Sequence, residues 1–145
     1  MSYTYKDNSK AVLDALQRAK KRGLTAIGME AEAHAKKVLS NAVYVGDKPY
    51  KLTGRLRNSI TFAISGQKAN ISSYSGDDNE PGGTYDGTAP EDKDMAVYVG
   101  TGVSYAEGIE TGSHRKAGPV HFLRKAATEP KERFKQLLKE AMENA

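Results

Sequence analysis

Val12, Leu13, Leu16, Ala19, Leu24, Ile27, Ala31, Ala35, Val38 and Leu39 recur at three- and four-residue steps and lay one apolar stripe along a helix of about thirty residues. A helix this long must be covered by whatever the rest of the chain supplies, so it sets the frame of the fold. Asn8 or Ser9 can cap its start. Gly23 and Gly28 each cost about 1 kcal/mol relative to alanine inside a helix. The sequence therefore predicts a bend, or two helices meeting near Arg22-Gly23-Leu24-Thr25. The many alanines predict close packing against a sheet or a neighbour, and Lys20-Lys21-Arg22 reads as a solvated corner.

At 145 residues the chain is one domain's worth, enough to bury roughly two-thirds of its unfolded surface. No run approaches the roughly 18 apolar residues of a membrane span, and Met1 to Asp7 lacks the apolar core of a signal peptide, so a cytoplasm-like location and no membrane contact are expected. The absence of cysteine removes disulfides, thiolate nucleophiles and thiolate zinc sites, and His34, His114 and His121 lie far apart in sequence.

After the helix, Val43 to Lys51 reads as an irregular connector with Gly46, Asp47 and Pro49, and Thr53-Gly54 as a turn. Ile60 to Ile64 alternates as a half-buried strand, Ser65 to Lys68 as a hairpin-like link, and Ala69 to Tyr74 as a second strand. Met95 to Thr101 is the third. Sequential strands predict an antiparallel meander with helices on one face, an α+β fold in a single domain over residues 1–145. Phe134, Leu137, Leu138, Ala141 and Met142 form a second helical stripe, with Pro130 in its first turn and Thr128 as a possible cap. Burial of its four large side chains would contribute at most about 8 kcal/mol, at about 2 per side chain.

The net charge of +4 conceals an asymmetry: residues 75–94 hold seven acids against Lys93 alone, a local charge of −6, so the remainder carries +10. This acidic segment has four glycines, two prolines and only Tyr85 and Ala89 as apolar candidates. It cannot offset an ordering cost of about 1–2 kcal/mol per residue and is expected to be a mobile loop. Loops of this length in compact domains commonly carry function, which singles out Asp77, Asp78, Glu80, Asp86, Glu91 and Asp92 as candidate contacts with a partner. The basic excess elsewhere makes a DNA-binding module one alternative.

Catalytic readings find little support. Gly100-Thr101-Gly102 follows a strand as a dinucleotide turn would, but Tyr105 stands where the third glycine should be. Ser104, Ser113, His114 and Glu110 contain the residue types of a triad without a nucleophile elbow. Asp77-Asp78-Asn79-Glu80 lacks the alternating ligands and mid-loop glycine of a calcium hand. No catalytic, metal or cofactor site is expected, and the chain is read as a non-enzyme.

Two blocks do carry a family resemblance. Thr53-Gly54-Arg55-Leu56-Arg57-Asn58-Ser59-Ile60 is similar to the TGxLxxSI segment that follows the first helix in the head-tail joining or tail-completion proteins of tailed bacteriophages. Val99-Gly100-Thr101, Tyr105-Ala106, Ile109-Glu110-Thr111-Gly112 and Pro119 through Phe122-Leu123-Arg124-Lys125-Ala126 resemble that family's second block. The family usually has Pro, an aliphatic residue and Asp before the Thr-Gly, where this chain has Lys51 and Leu52. It has an aromatic where Thr111 stands, and a small residue where His121 precedes Phe122.

The resemblance implies a structural virion protein that forms a homo-oligomeric ring, a hexamer, at the head-tail junction, assembled in the host cytoplasm. Its expected neighbours are the head-completion or stopper ring, the tail terminator or tail tube protein, and DNA passing through the lumen without sequence-specific binding. Another neck or tail ring such as the terminator, or a minor head component, is the alternative within the same class. The assembly motif would comprise Gly54, Leu56, Ile60, Gly100, Tyr105, Ala106, Glu110, Gly112, Pro119, Phe122 and Leu123. Gly54, Gly100 and Gly112 are expected in backbone conformations that side chains penalise, and Tyr105, Ile109, Phe122 and Leu123 as anchors that pack a loop onto the sheet. The acidic segment would project into the lumen or onto an adjacent ring. In the lumen, six copies would set about −36 charges around the DNA path, repelling phosphates within a Debye length of about 8 Å.

Overall fold

The computed structural model describes residues 8–43, 54–76, 82–112 and 119–144. Helix α1 runs unbroken over Ser9–Val43, 35 residues and about 52 Å at 1.5 Å per residue. Of the two arrangements expected at Gly23, two separate helices are not formed, and the reason lies across the interface. A Cβ at Gly23 would stand 2.8 Å from Leu138 Cδ1 and 3.2 Å from Ala141 Cβ, and one at Gly28 would stand 2.6 Å from Phe62 Cγ. The two glycines let a helix and an aromatic ring approach the α1 backbone, and that packing offsets their propensity cost.

Burial along α1 follows Ala19, Gly23, Ile27, Ala31, Ala35 and Leu39, a strict four-residue step. Four residues turn a helix by slightly more than one revolution, so this line drifts around α1 and meets different partners along its length. The remaining elements are α2 (Arg55–Ser59), β1 (Thr61–Ile64), β2 (Ser73–Tyr74), β3 (Gly83–Thr84), β4 (Val97–Gly100), α3 (Ala106–Thr111), α4 (Phe122–Thr128) and α5 (Lys131–Glu143). Of these, α5, α4, β1, β4 and α2 all pack on α1. The α+β class stands as read from the sequence.

The sheet is smaller than expected and differently paired. β1 pairs antiparallel with β4, Thr61 opposite Gly100 and Ile64 opposite Val97, while β2 pairs separately with β3 through Ser73–Thr84 and Tyr74–Gly83. The strand expected over Ala69 to Tyr74 shrinks to two residues, and it is not β4's neighbour as a meander would require. The Ile64–Gln67 turn, closed by Gln67 N–H to Ile64 C=O at 2.9 Å with Gly66 left-handed at φ 74°, matches the predicted link. β1 is buried at Thr61, Phe62 and Ile64, so α1 and the loops cover both of its faces, where one exposed face was expected.

The C-terminal helix is also two elements. Pro130 sits between α4 and α5 and its carbonyl accepts from Phe134 N–H at 2.9 Å. Thr128 does not cap α5; as the last residue of α4 it donates its hydroxyl back to Arg124 C=O at 2.8 Å. Phe134, Leu137, Leu138 and Ala141 are only half-buried against α1 and Met142 is exposed, so that stripe contributes well below its upper bound. The helices run antiparallel, as contacts of Gly23 with Leu138 and Ala141 and of His34 Nε2 with Glu129 Oε1 at 2.9 Å define. Among the described residues no helix is long and apolar enough to cross a membrane.

Candidate functional site

The two blocks that carry the resemblance converge. Leu56 of α2 and Ile60 just after it, Val103 before α3 and Ala106 at its start, and Val120, Phe122 and Ala126 around α4 share one buried cluster with Ala31, Ala35 and Leu39 of α1. Phe122 and Ile60 are its largest fully buried side chains. Segments more than forty residues apart in sequence thus close over one end of α1.

Gly54 begins this arrangement. It precedes α2 in a left-handed conformation, φ 75°, and its carbonyl accepts from Asn58 N–H at 2.8 Å, so the chain enters α2 through a geometry a side chain would strain. Gly112 ends α3 at φ 80°, its N–H bonded to Gly108 C=O at 3.0 Å, a left-handed stop. Gly100 differs from both. Its φ is ordinary and a Cβ there would meet nothing within 4 Å, so the expected backbone requirement does not exist at that position.

Helix α4 begins without a local cap. Pro119, Val120 and His121 offer no side-chain oxygen, and His121 itself adopts φ 52°, ψ 40° without a capping bond. Glu110, at the end of α3, supplies the missing acceptor: Leu123 N–H donates to Oε2 at 2.8 Å and Arg124 N–H to Oε1 at 3.0 Å. Two first-turn amides are satisfied by one carboxylate from a neighbouring helix, a charge-favoured arrangement at a helix N-terminus. Val120 N–H to Ile109 C=O and His121 N–H to Glu110 C=O, at 3.0 and 3.1 Å, lock the segment in register. Both oxygens of Glu110 are therefore engaged in structure.

A second knot lies at the other side of the cluster. Ser59 Oγ donates to Leu56 C=O at 2.6 Å and lies 2.5 Å from Thr101 Oγ1, which accepts from Val103 N–H at 3.1 Å. Tyr85 OH donates to Ser59 C=O at 2.7 Å and accepts from Gly102 N–H at 2.8 Å, while its ring lies 5.4 Å from that of Tyr74. A hydroxyl from the acidic segment thereby ties α2 to the turn between β4 and α3.

Residues 82–90 of that segment are tied to the body by backbone bonds. Tyr85 N–H bonds to Ser72 C=O, Ala89 N–H to Gln67 C=O, and Gly66 N–H to Ala89 C=O, with Lys68 and Thr88 bridged. Backbone pairing with the turn after β1, which no side-chain pattern signals, holds residues 82–90 on the body. Asp86 and Glu91 are exposed, and Asp92, also exposed, accepts from Tyr98 OH. Asp77, Asp78 and Glu80 lie outside the described residues, as do Ser113 and His114.

Other expected motif residues divide by burial. Leu56, Ile60, Ala106 and Phe122 are core, Leu123 and Ile109 pack at its margin, and Pro119 is exposed. Tyr105, expected as an anchor, is 42% exposed, because the α3 turn that buries Val103 and Ala106 carries its ring outward. The sequence marks Tyr85 only as an apolar candidate of the acidic segment and Ser59 only as the serine of the TGxLxxSI segment; neither pattern signals that the two residues bond to each other. Among the described residues no group of three or more His, Cys, Asp or Glu side chains is placed to hold a metal ion. No protein-family model, curated protein or solved structure matches the chain.

Proposed function

We propose that the protein is a structural component of a tailed-phage virion, a subunit of a homo-oligomeric neck ring that completes the tail and joins it to the DNA-filled head. The observation that carries this reading is the convergence of TGRLRNSI and the Val99–Ala126 block on one packed junction, with Gly54, Glu110 and Gly112 each meeting a specific backbone need there. Residues shared with a family of assembly proteins, placed as joints around a common core, fit a frame that holds outer surfaces for neighbours. Glu110 spent on an amide pair and hydroxyls spent on Ser59, Thr101 and Tyr85 fit a scaffold better than a reaction centre.

In this reading the ring is a hexamer, the stopper ring and the terminator or tube protein are its axial neighbours, and DNA passes without sequence-specific contact. Electron microscopy of intact particles containing the labelled chain tests it: a ring at the head-tail junction is expected. Density confined to the tail tip or the capsid shell would overturn it.

A further inference from the structure

The inference concerns the first ten residues of α1 and rests on the ring reading above. Because α5 runs antiparallel to α1, with Leu138 and Ala141 over Gly23, its last turn at Glu143 lies near Ala19. Residues 9–18 extend past it by about 15 Å at 1.5 Å per residue. The apolar line that α5 covers from Ala19 onward continues uncovered into this overhang: Val12 is 55% exposed, Leu13 59% and Leu16 39%. Three large exposed aliphatic side chains within five residues of one helix are the mark of a surface that becomes buried on association.

Charge identifies the occupant. Over residues 9–22, the overhang and the turn that follows it, α1 carries Lys10, Arg18, Lys20, Lys21 and Arg22 against Asp14 alone, so the polar faces of the helix beside and behind the aliphatic stripe are basic. Elsewhere on the same molecule Tyr98, 37% exposed on β4, gives its hydroxyl to Asp92, in an exposed run where Glu91, Asp92 and Asp94 outnumber Lys93. An aromatic with an acidic rim complements an aliphatic stripe with a basic one. A phosphate backbone would match the lysines and leave Val12, Leu13 and Leu16 in water, so nucleic acid is the poorer fit. The two patches differ, so their contact between copies is heterologous, the kind that closes into a ring.

We propose that copies of this chain associate head to tail, the α1 overhang of one copy (Val12, Leu13, Leu16) docking on the acidic surface around Tyr98 of the next.

Sedimentation velocity of the whole chain across a concentration series tests this. Self-association at low salt is expected, weakened by raised salt because exposed charges are screened. Leu13→Glu should weaken it at least about tenfold, since it sets a charge in the apolar contact. Arg18→Glu with Lys21→Glu, and Glu91→Lys with Asp94→Lys, should each weaken self-association similarly, and mixing the two double variants should restore it, because each reversed patch then meets its opposite. All these positions are exposed, so far-UV circular dichroism and thermal unfolding should match the parent. A chain that stays monomeric at low salt overturns the proposal. So does association abolished by Leu13→Glu yet indifferent to Glu91→Lys with Asp94→Lys, which would mean overhang pairing with overhang. Failure of the neck reading is separable: a chain that associates through these patches but is absent from the head-tail junction leaves the contact standing and removes its setting.

Discussion

Glu110→Ala isolates the strongest structural claim made for the second block. The substitution removes both acceptors of the α4 first turn, at 2.8 Å from Leu123 N–H and 3.0 Å from Arg124 N–H. A hydrogen bond to a charged group contributes about 1.5–3 kcal/mol net, and a lost cap typically costs about 1. Arg124 is exposed, so water can replace its bond at small cost, whereas Leu123 is half-buried and Phe122 beside it is fully buried. One bond counted in full, the other discounted, and a partial loss of favourable charge at the helix end give about 2–3 kcal/mol. For a chain of this length that corresponds to a fall of about 7–10 °C in Tm.

Urea unfolding followed by far-UV circular dichroism measures the loss, and amide exchange at Leu123 and Arg124 locates it. Glu110→Gln keeps the shape but turns an NH2 group toward a donor, so it should cost nearly as much. Glu107→Ala is the control: its side chain is exposed on the same helix and its removal should cost no more than about 0.5 kcal/mol. A loss for Glu110→Ala below about 0.5 kcal/mol, or no larger than the control, would refute the non-local cap.

Three further outcomes follow from the packing. Gly28→Ala should destabilise by about 1–2 kcal/mol despite its helix-propensity gain of about 1, because the new methyl meets the Phe62 ring, and Phe62→Leu in the same chain should recover much of the loss in urea unfolding. Tyr85→Phe should cost about 1–3 kcal/mol and speed amide exchange at Gly102, since it strips the partner from Ser59 C=O and Gly102 N–H together. Gly112→Ala should cost about 1–2 kcal/mol through its left-handed φ while Gly100→Ala stays within about 0.5, and equal Tm changes for the two would contradict the distinction drawn between them.

Where sequence reading succeeded, the controlling physics was local. The helices α1 and α5, the Ile64–Gln67 turn and the presence of β1 and β4 follow from periodicity and turn chemistry in a window of a few residues. Where it failed, a distant partner decided. Gly23 and Gly28 read as helix breakers because propensity counts only the helix's own backbone; Leu138, Ala141 and Phe62 supply the reason for them. The β1–β4 pairing skips over two strands, and no pattern within either strand specifies which neighbour it takes. The acidic segment was judged by its lack of apolar surface, yet one hydroxyl and a few backbone bonds to the turn after β1 hold it.

Tyr85 also changes how the acidic segment should be tested for function. Deleting residues 76–92 would remove β3, the Tyr74–Tyr85 contact and the bond to Ser59 along with the charges, so a failed assembly would report a loosened junction as readily as a lost contact. Charge and scaffold separate along this stretch: Asp86, Glu91 and Asp94 are exposed, while Tyr85 and the backbone bonds at Tyr85 and Ala89 carry the attachment. Asp86→Asn, Glu91→Gln and Asp94→Asn together should therefore leave the free energy of urea unfolding within about 0.5 kcal/mol of the parent. On that stable background, virion assembly and DNA ejection scored separately assign the charge its role. Defective assembly places the segment against a neighbouring protein, and defective ejection alone places it along the DNA path. Normal performance in both would remove the charge of these three residues from the function.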